Sequence, residues 1–253
     1  MQLRDSLDQK KMLITAWSVS PSAEMAGGLA RCPFDTVTVD MQHGAHSESS
    51  AFASADAILA AGKPAIMRIP VGRNDLASRA LDMGFEAVIA PMINSVADAQ
   101  AFAAAMKYPP LGERSWGPIK ALQMHSSYSP ETYFRSANRE TLALAMIETR
   151  EAFAVLDGIL ATDGIDGIFV GPSDLSISWS NGAHVDPHDE ELQDVIAKIA
   201  DRAREAGKLA AIFAVDPADV PRFSKMGYRL AALNTDPGIL QAGAAVMLDK
   251  ARG

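Results

Sequence analysis

Short, uniformly apolar runs rich in Val, Ile and Leu recur along the chain, at residues 12–16, 36–39, 65–68, 87–90, 142–147, 167–170, 209–214 and 230–233. Most do not alternate between apolar and polar, as a strand wetted on one face would, so they read as strands buried on both faces. Alanine-rich amphipathic stretches lie between them, for example 50–61 and 192–206. Each of these two stretches runs into a glycine, Gly62 or Gly207, where a left-handed helix C-cap belongs. Strand and helix in alternation predict parallel pairing through right-handed crossovers. Eight such strands in 253 residues match the count and length of a (β/α)₈ barrel. An open doubly wound sheet is the rival, but no Gly-x-Gly-x-x-Gly follows the first strand and no phosphate-loop signature occurs. A single barrel domain over 1–253 is the expected architecture.

Composition narrows the function more than the fold. Hydrophobic residues make up 48% and charged residues 21%, the balance of an ordinary globular protein. The net charge of −8 argues against nucleic acid as a partner, because binding there begins with neutralised phosphates. Cys32 stands alone, which excludes an intrachain disulfide framework and suits a reducing compartment. The first residues have no apolar signal core, and no stretch approaches the roughly 20 apolar residues of a membrane span. A soluble, cytoplasmic protein without a membrane partner is expected.

Two segments depart from the rhythm. Residues 108–139 hold Pro109, Pro110, Gly112, Gly117, Pro118 and Pro130, with serines among them, including Ser126 and Ser127. A long excursion after a barrel strand lies on the side where barrel active sites form, so it reads as a functional loop. The last helical stretch, 239–250, is short of charge on one face, which leaves room for a partner subunit.

Polar residues at the C-terminal ends of barrel strands face the active-site mouth. The predicted strand ends supply Trp17, then Asp40 with Gln42, His43 and Gly44, then Arg68, Glu148 and the run Gly171-Pro172-Ser173-Asp174. Glu148 and Asp174 follow adjacent strands and suit a hard divalent cation, which takes one or two carboxylates and leaves other positions to water and substrate oxygens. The plainer alternative pairs Glu148 with Arg150 and makes Asp174 a helix cap. His43 is the candidate general base, with Asp40 or Asp82 as the acid that orients it. Arg68 serves either as an ion-pair partner or as a holder of an anionic oxygen. The turn through Gly171 and Ser173 offers backbone N–H groups to a small carboxylate. The other four histidines, His46, His125, His184 and His188, stand in no constellation.

At these residues the chain resembles the HpcH/HpaI aldolase family, the class II, metal-dependent pyruvate aldolases. The resemblance runs through Val39-Asp40-Met41-Gln42-His43-Gly44, Met67-Arg68, Leu81-Asp82-Met83-Gly84, Ala90-Pro91-Met92 and Tyr108-Pro109-Pro110. It ends on the most specific pair, Ile147-Glu148-Thr149-Arg150-Glu151-Ala152 and Gly171-Pro172-Ser173-Asp174-Leu175-Ser176. It implies Glu148 and Asp174 as metal ligands for Mg²⁺, Mn²⁺ or Co²⁺, His43 as base and Asp82 as the acid behind it. It further implies Arg68 as holder of the enolate oxygen and Asp40 beside the metal's water. Gly171, Ser173 and Asp174 would bind pyruvate's carboxylate, and Trp17 would wall the pocket. A barrel whose last helix is exchanged between subunits of a homohexamer, a trimer of dimers, is implied as well.

Two positions depart from the family pattern. Gln42 stands where many relatives carry glutamate, and Met146 where they often carry glutamine, so substrate preference is the property they affect. The expected reaction cleaves a 4-hydroxy-2-oxo acid to pyruvate and an aldehyde. A Schiff-base mechanism is disfavoured because no lysine ends a predicted strand. An acyl-CoA lyase of the citrate or malyl-CoA type and a catalytically silent oxo-acid-binding barrel are the alternatives.

Overall fold

The computed structural model describes residues 2–9, 12–124 and 128–253. The chain opens with α1 (Leu3–Gln9), β1 (Leu13–Ser18), α2 (Ala23–Arg31), β2 (Thr36–Asp40), α3 (Glu48–Ala60) and β3 (Ala65–Arg68). It continues through α4 (Asn74–Asp82), β4 (Ala87–Ala90), α5 (Val96–Met106), α6 (Ile119–Met124), α7 (Pro130–Glu140) and β5 (Leu142–Ile147). Then come α8 (Arg150–Ala154), α9 (Leu156–Leu160), β6 (Gly167–Val170), α10 (Pro172–Trp179) and α11 (Glu190–Glu205). Finally β7 (Leu209–Ala214), α12 (Val220–Met226), β8 (Leu230–Thr235) and α13 (Asp236–Arg252) complete it. All neighbouring strands pair in parallel, and β8 returns to β1, closing the barrel in sequence order. All eight predicted strands are present; the largest boundary shifts are at β1 and β8, expected to end at 16 and 233 and each observed two residues longer at its C-terminal end.

Alternation of side chains along each strand divides the core into two shells. Leu142, Leu144 and Met146 of β5 point into the barrel with Leu13, Trp17, Ile66, Ile89, Phe169 and Leu230. Ala143, Ala145 and Ile147 of the same strand point outward and pack under the helices with Val37, Val39, Met67, Val88 and Ile168. Because the period is two, extending each inward row by one step fixes which residue reaches the mouth: Asp40 after Thr38, Arg68 after Ile66, Glu148 after Met146 and Gly171 after Phe169. The uniformly apolar sequence of the strands follows from burial on both faces.

Helix α1 was not anticipated. Leu3 and Leu7 plug the bottom of the barrel interior, and the Leu3 backbone N–H donates to Glu86 Oε2 at 2.6 Å. Beside this plug, Lys107 is buried and donates to the carbonyls of Asn138 and Thr141 and to Asp166. Burial pushes the Lys107 pKa down against the opposing charge of Asp166, but the residue belongs to the closed end of the barrel.

The excursion at 108–139 folds into α6 and α7 over an aromatic cluster of Tyr108, Trp116, Tyr133 and Phe134. Gly62 and Gly207 have φ of 76° and 67°, so both helices end left-handed as expected. At the C-terminus, α13 leaves the barrel: of its residues only Asp236 is buried, while Leu240, Val246, Met247 and Leu248 are exposed by 62%, 55%, 68% and 49%. Among the described residues no helix is long and apolar enough to cross a membrane.

Candidate active site

A cleft of about 350 Å³ opens at the C-terminal ends of the strands, lined by residues that include Trp17, Asp40, His43, Arg68, Gly171 and Asp174. Of the residues expected in the mouth, these and Ser173 line the cleft, whereas Glu148 lies behind its wall, with its carboxylate against Gly171. Asp40 and Arg68 form its most ordered pair. Arg68 Nε donates to Asp40 Oδ1 at 2.8 Å and Nη2 donates to Oδ2 at 2.6 Å, a two-pronged contact that fixes the guanidinium plane. The Trp17 ring lies under the guanidinium, 4.9 Å from ring centre to Cζ, and its Nε1 donates to Asp40 Oδ2 at 3.2 Å. Burial works to raise the Asp40 pKa, but the hydrogen bonds and charge of Arg68 overcome it and hold the carboxyl below the usual range. The ion-pair reading of Arg68 thus holds, and the pair keeps its side chain at the cleft.

Glu148 follows β5, within reach of the Arg68 charge. Its Oε1 accepts the Met92 backbone N–H at 2.7 Å. Met92 has a φ of 55°, in the left-handed region that a methionine seldom adopts. The sequence marked Met92 only as part of a matching motif and gave it no role, because its residue type does not declare a backbone N–H held on a distant carboxylate. Burial pushes the Glu148 pKa up to about 7, with the nearby negative charge of Asp174 adding to the rise against the Met92 hydrogen bond and Arg68. The plainer alternatives for these two acids are not realised. Arg150 stacks on Trp179 instead, and α10 is capped by Gly171 with no side-chain bond.

Two carboxylates crowded together without a cation of their own fit a divalent metal. Glu148 Oε2 would lie 2.8 Å from a Cβ added at Gly171, so glycine there lets the carboxylate face the cleft. Among the described residues no cluster of three or more His, Cys, Asp or Glu is poised for an ion, so any cation held by this pair would take its remaining ligands from water and substrate. Beside Glu148, the first turn of α10 presents the N–H groups of Ser173 and Asp174, which have no acceptor within the helix.

His43 lies at the exposed rim of the cleft, and within the single chain both acids expected behind it are engaged elsewhere. Asp40 meets His43 through the backbone, accepting its N–H at 3.4 Å and that of Gln42 at 2.9 Å. It shapes the loop and does not touch the imidazole. Asp82 ends α4 and accepts from Arg114 Nη2 at 2.7 Å, so within its own chain it is committed outside the cleft. Of the two departures, Met146 is buried and lines the cleft beside Gly171. Gln42 Oε1 is buried without a partner.

Other histidines separate sharply. His46, read as standing in no constellation, is buried between Ser18 and Ser50. His188 pairs with Asp219 at the surface, His184 is exposed, and His125, Ser126 and Ser127 lie outside the described residues. Among the described residues, the cleft is lined by no lysine.

The site is thus the mouth of a closed (β/α)₈ barrel that carries a buried Asp–Arg pair together with the Glu148 and Asp174 carboxylates. The chain belongs to the HpcH/HpaI aldolase/citrate lyase family, whose model matches residues 13–241. It is 36% identical over 84% of its length to a hydroxypyruvate/pyruvate aldolase of Rhizorhabdus wittichii, covering 83% of that protein. It is 33% identical over 88% of its length to a 2-keto-3-deoxy-L-rhamnonate aldolase of Klebsiella pneumoniae, covering 82% of it. A family protein from Burkholderia cenocepacia superposes with a TM-score of 0.86 at 26% identity, covering 99% of both chains.

Proposed function

We propose that this chain is a class II pyruvate aldolase, a carbon–carbon lyase that reversibly cleaves a 4-hydroxy-2-oxo acid to pyruvate and an aldehyde. The observation that carries the reading is Arg68, locked by Asp40 in the cleft that Asp174 lines, with the Glu148 carboxylate against Gly171 of the same wall. Relatives named as pyruvate and keto-deoxy-acid aldolases at 30% identity or more support it.

Glu148 and Asp174 would hold a divalent cation such as Mg²⁺, Mn²⁺ or Co²⁺, which supplies Lewis-acid polarisation of the substrate's ketone. The N–H groups of Ser173 and Asp174, next to Gly171, bind the substrate carboxylate at the positive end of α10. Trp17 and Phe213 wall the apolar side. His43 takes the proton of the C4 hydroxyl; the C3–C4 bond breaks, the aldehyde departs, and the electron pair passes to the C2 oxygen as an enolate. Arg68 stabilises that oxygen with a charge already oriented before the reaction. His43 then returns the proton, and C3 is protonated to give pyruvate. If Asp82 serves His43, it does so from a second copy of the chain, because its own chain holds it on Arg114.

Assembly enters here as well. The apolar residues that α13 leaves exposed suit exchange of this helix with a partner barrel, the basis for a homohexamer built as three dimers. The substrates are small molecules, and the net charge of −8 is in keeping with no nucleic-acid partner and a cytoplasmic setting. The test of the function is turnover of pyruvate with a panel of simple aldehydes: activity should vanish with chelator and return with Mg²⁺, Mn²⁺ or Co²⁺. Undiminished turnover in metal-stripped protein would overturn the assignment.

A further inference from the structure

We infer that Asp236 is a positioning residue of the active site, tying the loop after β1 to the root of α13 and, through that loop, setting the seat of His43. The inference rests on the reading of His43 as the base. Asp236 is a buried carboxylate, 1% exposed, yet among the described residues no cation pairs with it. Its two oxygens accept one backbone N–H each, from Val19 and Ser20, both at 3.1 Å. Buried carboxylates without a counter-charge are costly, so this one is retained for what it holds.

What it holds is a strap across the mouth. The Val19 carbonyl accepts the Ala45 N–H at 2.8 Å. Immediately before Ala45, Gly44 is pressed so closely on this loop that a Cβ would lie 3.0 Å from Val19 Cα and 2.2 Å from the Asp40 carbonyl oxygen. His43 is the next residue. A second stitch runs beside the first. Ser50 Oγ accepts the Ser47 N–H and donates to the Ser47 carbonyl, so it takes the His46 Nδ1–H, leaving Nε2 to accept from Ser18 Oγ at 3.2 Å. Burial lowers the His46 pKa against the charges of Asp236 and Asp40, in keeping with a neutral ring in that chain.

The same turn builds the cleft wall. The β1–β8 ladder pairs Ala16 with Leu233 and then Trp17 with Thr235, so Asn234 is an extra residue, with a φ of 39°. Without this bulge Asn234 would take the inward position; with it, Thr235 lines the cleft alongside Val19. Asn234 Oδ1 accepts the Thr235 N–H at 2.8 Å and lies 2.0 Å from where a Cβ at Gly238 would be. Asp236 therefore anchors the wall that carries the base. Arg68 and the α10 N-terminus, which bind the oxo acid, depend on Asp40 and on the strand-to-helix turn at Gly171 instead. Loosening Asp236 should separate the proton step from substrate binding.

The experiment follows solvent exchange of the pyruvate methyl protons by NMR in the metal-loaded protein, comparing wild type with Asp236→Asn, Ser18→Ala and His43→Ala. Asp236→Asn leaves one acceptor for two N–H groups. It should slow exchange about tenfold or more, as misplacement of a catalytic group does, while the pyruvate KM stays within about twofold. Ser18→Ala should show the same split, more weakly, and decides the matter if Asp236→Asn does not fold. Exchange at the wild-type rate in the folded variant, or kcat and KM changing together, overturns the inference. Unchanged exchange in His43→Ala instead overturns the reading of His43 itself, whereas slow exchange there with a normal Asp236→Asn overturns only the role of Asp236.

Discussion

Replacing Asp40 by Asn probes the most ordered contact in the cleft. The carboxylate accepts from Arg68 Nε and Nη2, from Trp17 Nε1 and from the Gln42 and His43 backbone. Asparagine keeps one acceptor oxygen, turns an NH₂ toward a donor and removes the charge that neutralises Arg68. Breaking a buried ion pair from one side costs about 3–5 kcal/mol. Here the Arg68 side chain is 11% exposed at the mouth and one acceptor survives, so about 2–3 kcal/mol is expected on the same scale. The sign with pH is fixed by the depressed native pKa. The contribution is fully present above the unfolded value of 3.8 and is lost as pH falls through the lower native one. Urea denaturation should therefore show the variant destabilised at pH 7, with the gap narrowing below about pH 4. Because Arg68 loses its aim, kcat/KM should fall about 10²-fold, the scale of losing one oriented donor to a developing oxyanion. A variant within about 0.5 kcal/mol of wild type and with unchanged kcat/KM would refute the reasoning.

Glu86 gives a pH effect of opposite sign. Burial pushes its pKa up to about 7 against the Leu3 hydrogen bond, with Glu140 and Asp5 adding repulsion. The folded protein thus keeps a proton that the unfolded chain loses above 4.5, and stability falls as pH rises from there to about 7. Glu86→Gln should gain up to about 3 kcal/mol at pH 8 and flatten that slope; a less stable variant at pH 8 contradicts this. Gly171→Ala would place a methyl 2.8 Å from Glu148 Oε2 and should weaken Mn²⁺ binding, measured by calorimetry, while the fold persists by circular dichroism. Deleting α13 from Pro237 onward should reduce the mass seen by light scattering; a monomeric mass for the intact active protein contradicts the exchanged-helix assembly.

The strands were legible because barrel strands buried on both faces have a plain apolar signature, and their two-residue period carries Asp40, Arg68 and Glu148 to the mouth without further information. What was not legible depends on partners distant in sequence. Helix α1 has only Leu3 and Leu7 to declare it, and they matter because the barrel floor is open above them. Asp82 and Arg114 find each other across two elements. His46 looks solitary until Ser18 and Ser50 are brought to its two nitrogens. The bulge at Asn234 is a property of the β1–β8 ladder and not of its own residues.

The central claim is that Glu148 and Asp174 carry a metal which, with His43 and Arg68, makes the pyruvate enolate. Its most direct measurement is methyl-proton exchange of pyruvate in D₂O, run on metal-stripped protein, on protein reloaded with Mn²⁺, and on reloaded Glu148→Gln, with borohydride added in parallel. Exchange is predicted only in the reloaded wild type, with no pyruvate reduced onto the protein. Exchange in the stripped protein at the reloaded rate, or pyruvate trapped on a lysine by borohydride, would contradict it.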